Sequence, residues 1–238
     1  MCVGPCRDYH STLLFWPLTT VNFRKTRVQG KPDKRTVTPV SSHPERNIIR
    51  VQLTQNEILK ELPASARAEL ETHLTVVEGN KGEFLQHQGV REMDQYFILD
   101  GVLKRVVSNA EGKEMILRFA DEHDMETSYA AWRLGTPTPY GIVCVTKVRV
   151  ATLPLQVWAA FLDQHPATKQ LFEYNVMGVM SEIMAHVITL HLLDAPGRVH
   201  RFLRKHPELV DRIPQKQLAS HLNLSPETLS RLRRRGKI

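Results

Sequence analysis

The residues best equipped for chemistry lie in the C-terminal stretch KQLASHLNLSPETLSRLRRRGKI, Lys216 to Ile238. Glu227, Thr228, Ser230 and Arg231 fall in the first turns of a short helix and carry groups that read base edges. A guanidinium bonds guanine O6 and N7, and a carboxylate accepts from a cytosine amino group. Lys216, Arg233, Arg234, Arg235 and Lys237 offer positive charge suited to phosphates, a grip that weakens as salt rises. Catalytic chemistry has no comparable set. A cupin-like metalloenzyme needs two or three imidazoles and a carboxylate converging on one ion, and no His-x-His occurs. Cys2, Cys6 and Cys144 are too few for a four-thiolate zinc or iron–sulfur site and do not form a disulfide scaffold. We expect no catalytic residue, no metal and no enzyme activity.

Reading bases requires a rigid support. Leu218, Leu222, Leu224, Leu229 and Leu232 are spaced as the buried positions of two helices packed across a tight turn. Ala219 is small where the helices would cross, and Asn223 tolerates the left-handed φ that the turn needs. Ser225 caps the second helix, Pro226 stands at its first position, and Glu227 meets its positive end. The pattern predicts a helix-turn-helix rather than an ordinary helical hairpin.

Charge is unevenly spread. Residues 1–50 hold nine Lys/Arg and three Asp/Glu, a net of +6; residues 216–238 hold six and one, a net of +5. The whole chain is +7, so the middle is 7 − 6 − 5 = −4. Residues 1–46 lack an apolar period and predict a disordered basic extension. Beyond them, short runs of four to seven residues punctuated by glycines predict strands, with Asn109-Ala-Glu-Gly112 as a hairpin turn. Many short strands at close spacing indicate a jelly roll or barrel. From Leu155 helices take over. Phe172, Val176, Val179, Ile183, His186, Leu190 and Leu193 recur at steps of 4, 3, 4, 3, 4, 3, the seam of a two-helix coiled coil. Met177, Met180, Met184 and Val187 widen the apolar stripe, so one flank is expected on the barrel and the other on a second subunit. Ala195-Pro196-Gly197 is expected to end this helix. No run of 18 apolar residues exists, and LLFWPL is short and broken by Pro17; a cytoplasmic protein with no membrane partner is expected.

This order, a strand-rich domain, a long seam helix and then SPETLSRL, resembles the Crp/Fnr family of bacterial transcription regulators from about Asn47 to Ile238. VVEGNKGEFLQHQGVREMDQYFILDGVLKRVV is similar to that family's cyclic-nucleotide-binding-type barrel. The resemblance implies base contacts by Glu227, Ser230 and Arg231, the variant associated with TTGAT- or TGA-type half-sites. It further implies a homodimer on a near-palindromic duplex, an unidentified small-molecule effector, and RNA polymerase as a partner. The sequence stops before the usual β-hairpin wing, as in a shortened subset of the family. In cyclic-nucleotide binders a Gly-Glu pair meets the ribose and an Arg-Ser or Arg-Thr the phosphate. Here Glu126, Thr127 and Ser128 occupy the ribose region, Pro139-Tyr140-Gly141 the phosphate position, and Arg133 is the one substitute cation nearby. Tyr140 and Arg133 complete the candidate effector pocket. We expect no cyclic nucleotide and no resident cofactor; haem would require an axial ligand from His73, His87, His123 or His186.

The resulting expectation is an α+β chain in four parts: an extension (1–46), a jelly-roll sensor (47–163), a dimerisation helix (164–195) and a helix-turn-helix domain (196–238). The alternative is a ligand-binding protein, responsive to cyclic nucleotide or haem, that does not bind DNA.

Overall fold

A computed structural model of the chain describes residues 37–235, which form one compact unit. Most of the expected extension and Lys237 lie outside the described residues. The part of the extension that is described is ordered. Strand β1 (Val37–Pro39) pairs antiparallel with β2 (Thr75–Gly79), and Val40 is fully buried. A basic composition averaged over 46 positions hides the short VTPV anchor, whose β-branched residues suit a sheet edge.

The remaining strands are β3 (Phe84–Gln86), β4 (Asp94–Asp100), β5 (Leu103–Ser108), β6 (Glu114–Ala120), β7 (Met125–Thr127), β8 (Gly141–Cys144) and β9 (Val148–Pro154). They form two antiparallel sheets, β1-β2-β9-β4-β7 and β3-β8-β5-β6, stacked as a jelly roll. Val77, Ile98, Leu103, Ile142, Val148 and Val150 fill the space between the sheets. β4 and β9 are buried on both faces, which explains why their sequences run apolar instead of alternating. Helices α1 (Arg46–Leu53), α2 (Ala64–His73) and α4 (Leu155–Gln164) cover the back of the five-stranded sheet, packing Ile49, Leu70 and Trp158 against Phe97 and Leu153. A short helix, α3 (Tyr129–Arg133), links β7 towards β8.

Helix α5 (Pro166–Leu192) is 27 residues long, about 40 Å at 1.5 Å per residue. Its first turns are anchored by Phe172, fully buried with ring centroids 5.4 Å from Trp158 and 4.9 Å from Tyr129. The helix ends at Leu192, three residues before the expected end at 195. Asp194 caps α6 (Ala195–Lys205) by accepting from the Gly197 amide at 2.9 Å, so Ala195-Pro196-Gly197 opens a helix. Helices α7 (Gln215–His221) and α8 (Pro226–Arg234) follow.

The predicted seam of α5 is largely internal to the chain. Phe172 and Val176 pack on the core under α4, Val179 and Ile183 line cavities against the jelly roll and α6, and His186 stacks on His221. Leu190 is half-buried and Leu193 is exposed. The exposed apolar face consists instead of Tyr174, Met177, Met180, Met184, Ile188 and Leu192, at steps of 3, 3, 4, 4 and 4. A 4-3 repeat identifies an apolar stripe but not its partner. The longer of the two neighbouring stripes here covers the helix's own domain.

Gly101, between β4 and β5, tests the corner geometry. Its φ is +91°, and a Cβ there would stand 2.3 Å from the Lys147 carbonyl oxygen. Gly112 in the β5–β6 hairpin has φ +79° but open space around it. Gly112→Ala is expected to cost about 1–2 kcal/mol, the price of the backbone conformation alone. Gly101→Ala adds a clash with rigid backbone and should cost roughly 3 kcal/mol or more. Equilibrium urea unfolding of both variants checks the difference, and equal losses would contradict it.

Candidate nucleic-acid interface and sensor pocket

The C-terminal helices form because apolar positions, turn and cap agree. Leu218, Ala219, Leu222, Leu229 and Leu232 are buried between α7, α8 and the neighbouring sheet, while Leu224 is only half-buried. Asn223 adopts φ +52°, and the Leu224 amide donates back to the Ala219 carbonyl at 2.9 Å. Ser225 Oγ accepts from the Thr228 amide at 3.1 Å and donates to Thr228 Oγ1 at 3.1 Å. The cap uses Thr228 and leaves it half-buried, so it is the least available of the four candidate base readers. Ser230 is also half-buried, whereas Glu227 and Arg231 are exposed on the outward face of α8. Hydrogen bonds from its own backbone amide and from Ser225 hold the Glu227 carboxyl below its ordinary range. It is therefore an ionised acceptor at neutral pH. Lys216, Arg233, Arg234 and Arg235 are exposed, and the four arginines of α8 and its end make no ion pair among the described residues. Arg198, not singled out in the sequence, fixes the turn: its guanidinium donates to the Leu222 and Asn223 carbonyls at 3.1 and 3.3 Å.

The two helices lie on the outer face of the four-stranded sheet. Val106, Ile116, Phe119, Val143 and Val145 from the sheet share one apolar cluster with Val199, Phe202, Leu218 and Leu222. Polar contacts fix the register. Arg212 meets Glu122 through two hydrogen bonds of 2.8 and 2.6 Å, and His221 Nδ1 lies 3.0 Å from the Ile116 carbonyl. His186 Nε2 lies 3.0 Å from the His221 carbonyl, and the two imidazoles stack at 3.9 Å, tilted by 2°. Each ring must donate to its carbonyl, and burial of two stacked imidazoles disfavours a charge on either.

Inside the roll, the expected effector pocket is filled by the chain itself. Arg105 Nε and Nη2 donate to one carboxylate oxygen of Glu126 at 3.0 and 2.6 Å, with both side chains fully buried. Arg118 pairs with Asp124 and stands 3.2 Å from the other Glu126 oxygen, in ion-pair range though not aligned as a hydrogen bond. The Tyr140 ring covers Arg105 at 4.1 Å, and its hydroxyl donates to the Thr127 carbonyl at 2.7 Å. Burial raises its phenol pKa, so the hydroxyl remains protonated. Gln86 donates to Ser128 Oγ at 2.7 Å. What remains open is about 10 Å³, about one water. Glu126, Thr127, Ser128 and Tyr140 are thus brought together, but Arg133 is not. It is exposed on α3, 5.9 Å from the Tyr129 ring. Arg105 and Arg118 take the cationic role. For Arg105 the signal was present: in LKRVV it alternates with Leu103 and Val107 on one face; for Arg118 it was hidden by the bulge. A shift of register between Arg105 and Val106 leaves Leu117 unpaired and sets Arg118 opposite Arg105.

Residues 76–165 match the family model described as cyclic nucleotide-binding domain. No curated protein matches the sequence. Solved structures do match. FixK2 from Bradyrhizobium japonicum superposes with a TM-score of 0.60 at 16% identity, over 68% of this chain and 86% of that one. A protein from Eubacterium rectale assigned to the Crp/Fnr family of transcriptional regulators gives 0.62 at 15%, over 76% and 86%. The c-di-GMP-responsive global regulator CLP from Xanthomonas campestris gives 0.60 at 13%, over 72% and 91%. Residues 76–165 are thus similar to a cyclic nucleotide-binding domain, and the fold is shared with Crp/Fnr regulators of solved structure. Among the described residues no helix is long and apolar enough to cross a membrane.

Two outcomes are expected. Arg105→Ala leaves Glu126 buried beside Arg118 alone and should destabilise the chain by about 3–5 kcal/mol in urea unfolding. Arg105→Met combined with Glu126→Leu should recover most of that loss. The second concerns pH. Burial, and then the neighbouring His186, depress His221 to about 3, and burial likewise lowers His186. Arg201, Lys205 and His206 of α6 and Arg118 of β6 face the pair, with Asp121, Asp124 and Glu182 on the rim. Released from the sheet, each ring would protonate near 6.5. The packed arrangement therefore binds fewer protons, is fully stable above pH 6.5 and weakens as pH falls below it. By pH 5.5 the loss from His221 is about tenfold, and His186 adds to it in the same direction. Amide hydrogen exchange in α7, corrected for intrinsic rates, should accelerate between pH 7.5 and 5.5, and a flat profile would refute the argument.

Proposed function

We propose that the chain is a homodimeric transcription regulator that reads a near-palindromic duplex through α8 and is governed by a signal received at its jelly roll. The observation that carries this reading is the capped, rigid α8 with Glu227 and Arg231 exposed on its outward face and unpaired arginines at its end. Arg231 and Glu227 then specify bases, with Ser230 and Thr228 secondary, and Arg233, Arg234, Arg235 and Lys216 position the phosphates. The apolar face Tyr174 to Leu192 of α5 is the natural subunit seam. It is long and continuous, its chemistry matches a second copy of itself, and among the described residues no other element covers it.

The sensor reading differs from the domain's name. A cyclic nucleotide would have to displace the Arg105–Glu126 pair and the Tyr140 ring from a space of about 10 Å³. We therefore infer that cyclic nucleotide is not the signal. Nor do the candidate axial histidines fit haem: His73, His87 and His123 are exposed, and His186 is stacked and bonded at the edge of a cavity of about 130 Å³. Enzyme activity has no support, since the charged groups inside the roll pair with one another.

The test is selection of bound sequences from a randomised duplex pool by the full chain at fixed salt. An enriched inverted repeat is expected. Arg231→Ala should lower affinity for that site by about 10- to 100-fold and relax one base position, while Arg234→Ala weakens all sequences alike. Met177→Glu with Met184→Glu should yield monomers in sedimentation and lose the two-arm preference. Binding without any enriched sequence would reduce the tail to a non-specific phosphate grip and favour the ligand-binding alternative.

A further inference from the structure

A second cavity, of about 130 Å³, lies where β6, α5 and α6 meet. It is separate from the space inside the roll, although Arg118 borders both. Its charged lining can be balanced residue by residue. Arg118, Arg198, Arg201 and Lys205 contribute four positive charges, and Asp121, Asp124 and Glu182 three negative, leaving 4 − 3 = +1. Asp124 is taken by Arg118, Glu182 by Lys205 at 3.0 Å, and Asp121 by Arg212 at 3.5 Å from outside the cavity. Arg198 is committed to backbone carbonyls. Arg201, half-buried on the inner side of α6, is left with no ion-pair partner among the described residues.

The uncharged walls are aromatic and meet edge to face. Phe119 lies 6.4 Å from Phe202 and 5.1 Å from His221, and Phe202 lies 5.5 Å from His221. His186 and His221 donate their ring protons to carbonyls, so only acceptor nitrogens remain for an occupant. A second anionic group would meet those lone pairs and the rim carboxylates. The room is close to the roughly 150 Å³ that accepts a benzene ring in an apolar cavity. We propose that this cavity binds a small aromatic monocarboxylate, its carboxylate on the Arg201 guanidinium and its ring among Phe119, Phe202 and the stacked histidines. The ligand would touch the sheet, α5 and α6 together, so it favours the arrangement in which the C-terminal helices lie on the sheet. Binding at the site stands apart from the regulator reading; its consequence for gene control rests on it.

The test uses the full chain without DNA, at pH 7.5, with benzoate as the probe. Ring signals of His186 and His221 in nuclear magnetic resonance should shift saturably as benzoate is added. Arg201→Gln should weaken that binding at least tenfold, since it removes a charge-assisted bidentate contact. Arg201→Lys should retain part of it, and Arg204→Gln, exposed on the same helix, should leave it unchanged. Benzamide and cyclohexanecarboxylate should each bind more weakly than benzoate to the unaltered chain. The proposal is overturned by any of three results: no saturable shift up to about 10 mM benzoate, equal binding by the unaltered chain and Arg201→Gln, or displacement by inorganic phosphate at matching concentration. Folding of each variant is checked by its unperturbed α8 and jelly-roll signals. A failed DNA selection would leave this titration readable, so the two readings fail separately.

Discussion

Helix α5 has to satisfy three neighbours at once, and the rest of the molecule is arranged around that demand. Near its start Phe172 closes the aromatic cluster with Trp158 and Tyr129. In its middle Val179 closes the small space beside Arg105 and Tyr140, and Ile183 the second cavity. Further along His186 holds α7 through the His221 carbonyl and ring. A helix offers one face per neighbour only if it is long enough for the faces to be staggered. Twenty-seven residues provide that length. What remains is the exposed methionine-rich stripe on the far side, whose flexible side chains can adapt to an irregular surface.

The interior of the jelly roll shows the same economy of partners. A buried carboxylate is tolerable only with cations and hydrogen bonds supplied at fixed geometry. Glu126 receives both from Arg105 and lies in ion-pair range of Arg118, on two strands that face each other in register. Here the protein's own carboxylates, Glu126 and Asp124, neutralise the two guanidinium groups, and Tyr140 covers one of them. The domain keeps its fold while its interior is electrostatically complete without an added anion.

Much of this was legible in the sequence because local chemistry and tertiary packing agree there. Asn223, Ser225 and Pro226 specify a turn and a cap through backbone conformation, which a single residue type can announce. The jelly roll was legible from short strands and glycine corners, since Gly101 and Gly112 mark positive φ directly. The seam of α5 was not, because two apolar stripes run side by side and periodicity carries no information about which one meets its own domain. Arg133 was preferred over Arg105 for a related reason. Proximity along the chain to Tyr140 favoured it, whereas strand register, a long-range property, places Arg105 under the Tyr140 ring. The order of residues 37–46 was hidden by composition, which averages over a segment and misses three residues that complete a sheet edge.

Strand β6 is the element through which the two halves can be coupled. The bulge at Leu117 puts Ile116 and Phe119, three residues apart, on the same outer side towards α7 and α6, while Arg118 turns towards Glu126 inside the roll. A shift of Arg118 therefore moves the strand that carries Phe119 and the Ile116 carbonyl, and the His221 hydrogen bond reports it. Coupling of this kind needs no long pathway, because a single strand is shared by both packing interfaces. Its size is bounded by the difference in affinity of a signal for the packed and released arrangements, not by how tightly the signal binds. An occupant that contacts only the roll interior has no such difference unless it moves Arg118. One that touches β6 and α6 together gains contacts in the packed arrangement that the released one lacks, which distinguishes the junction from the filled pocket.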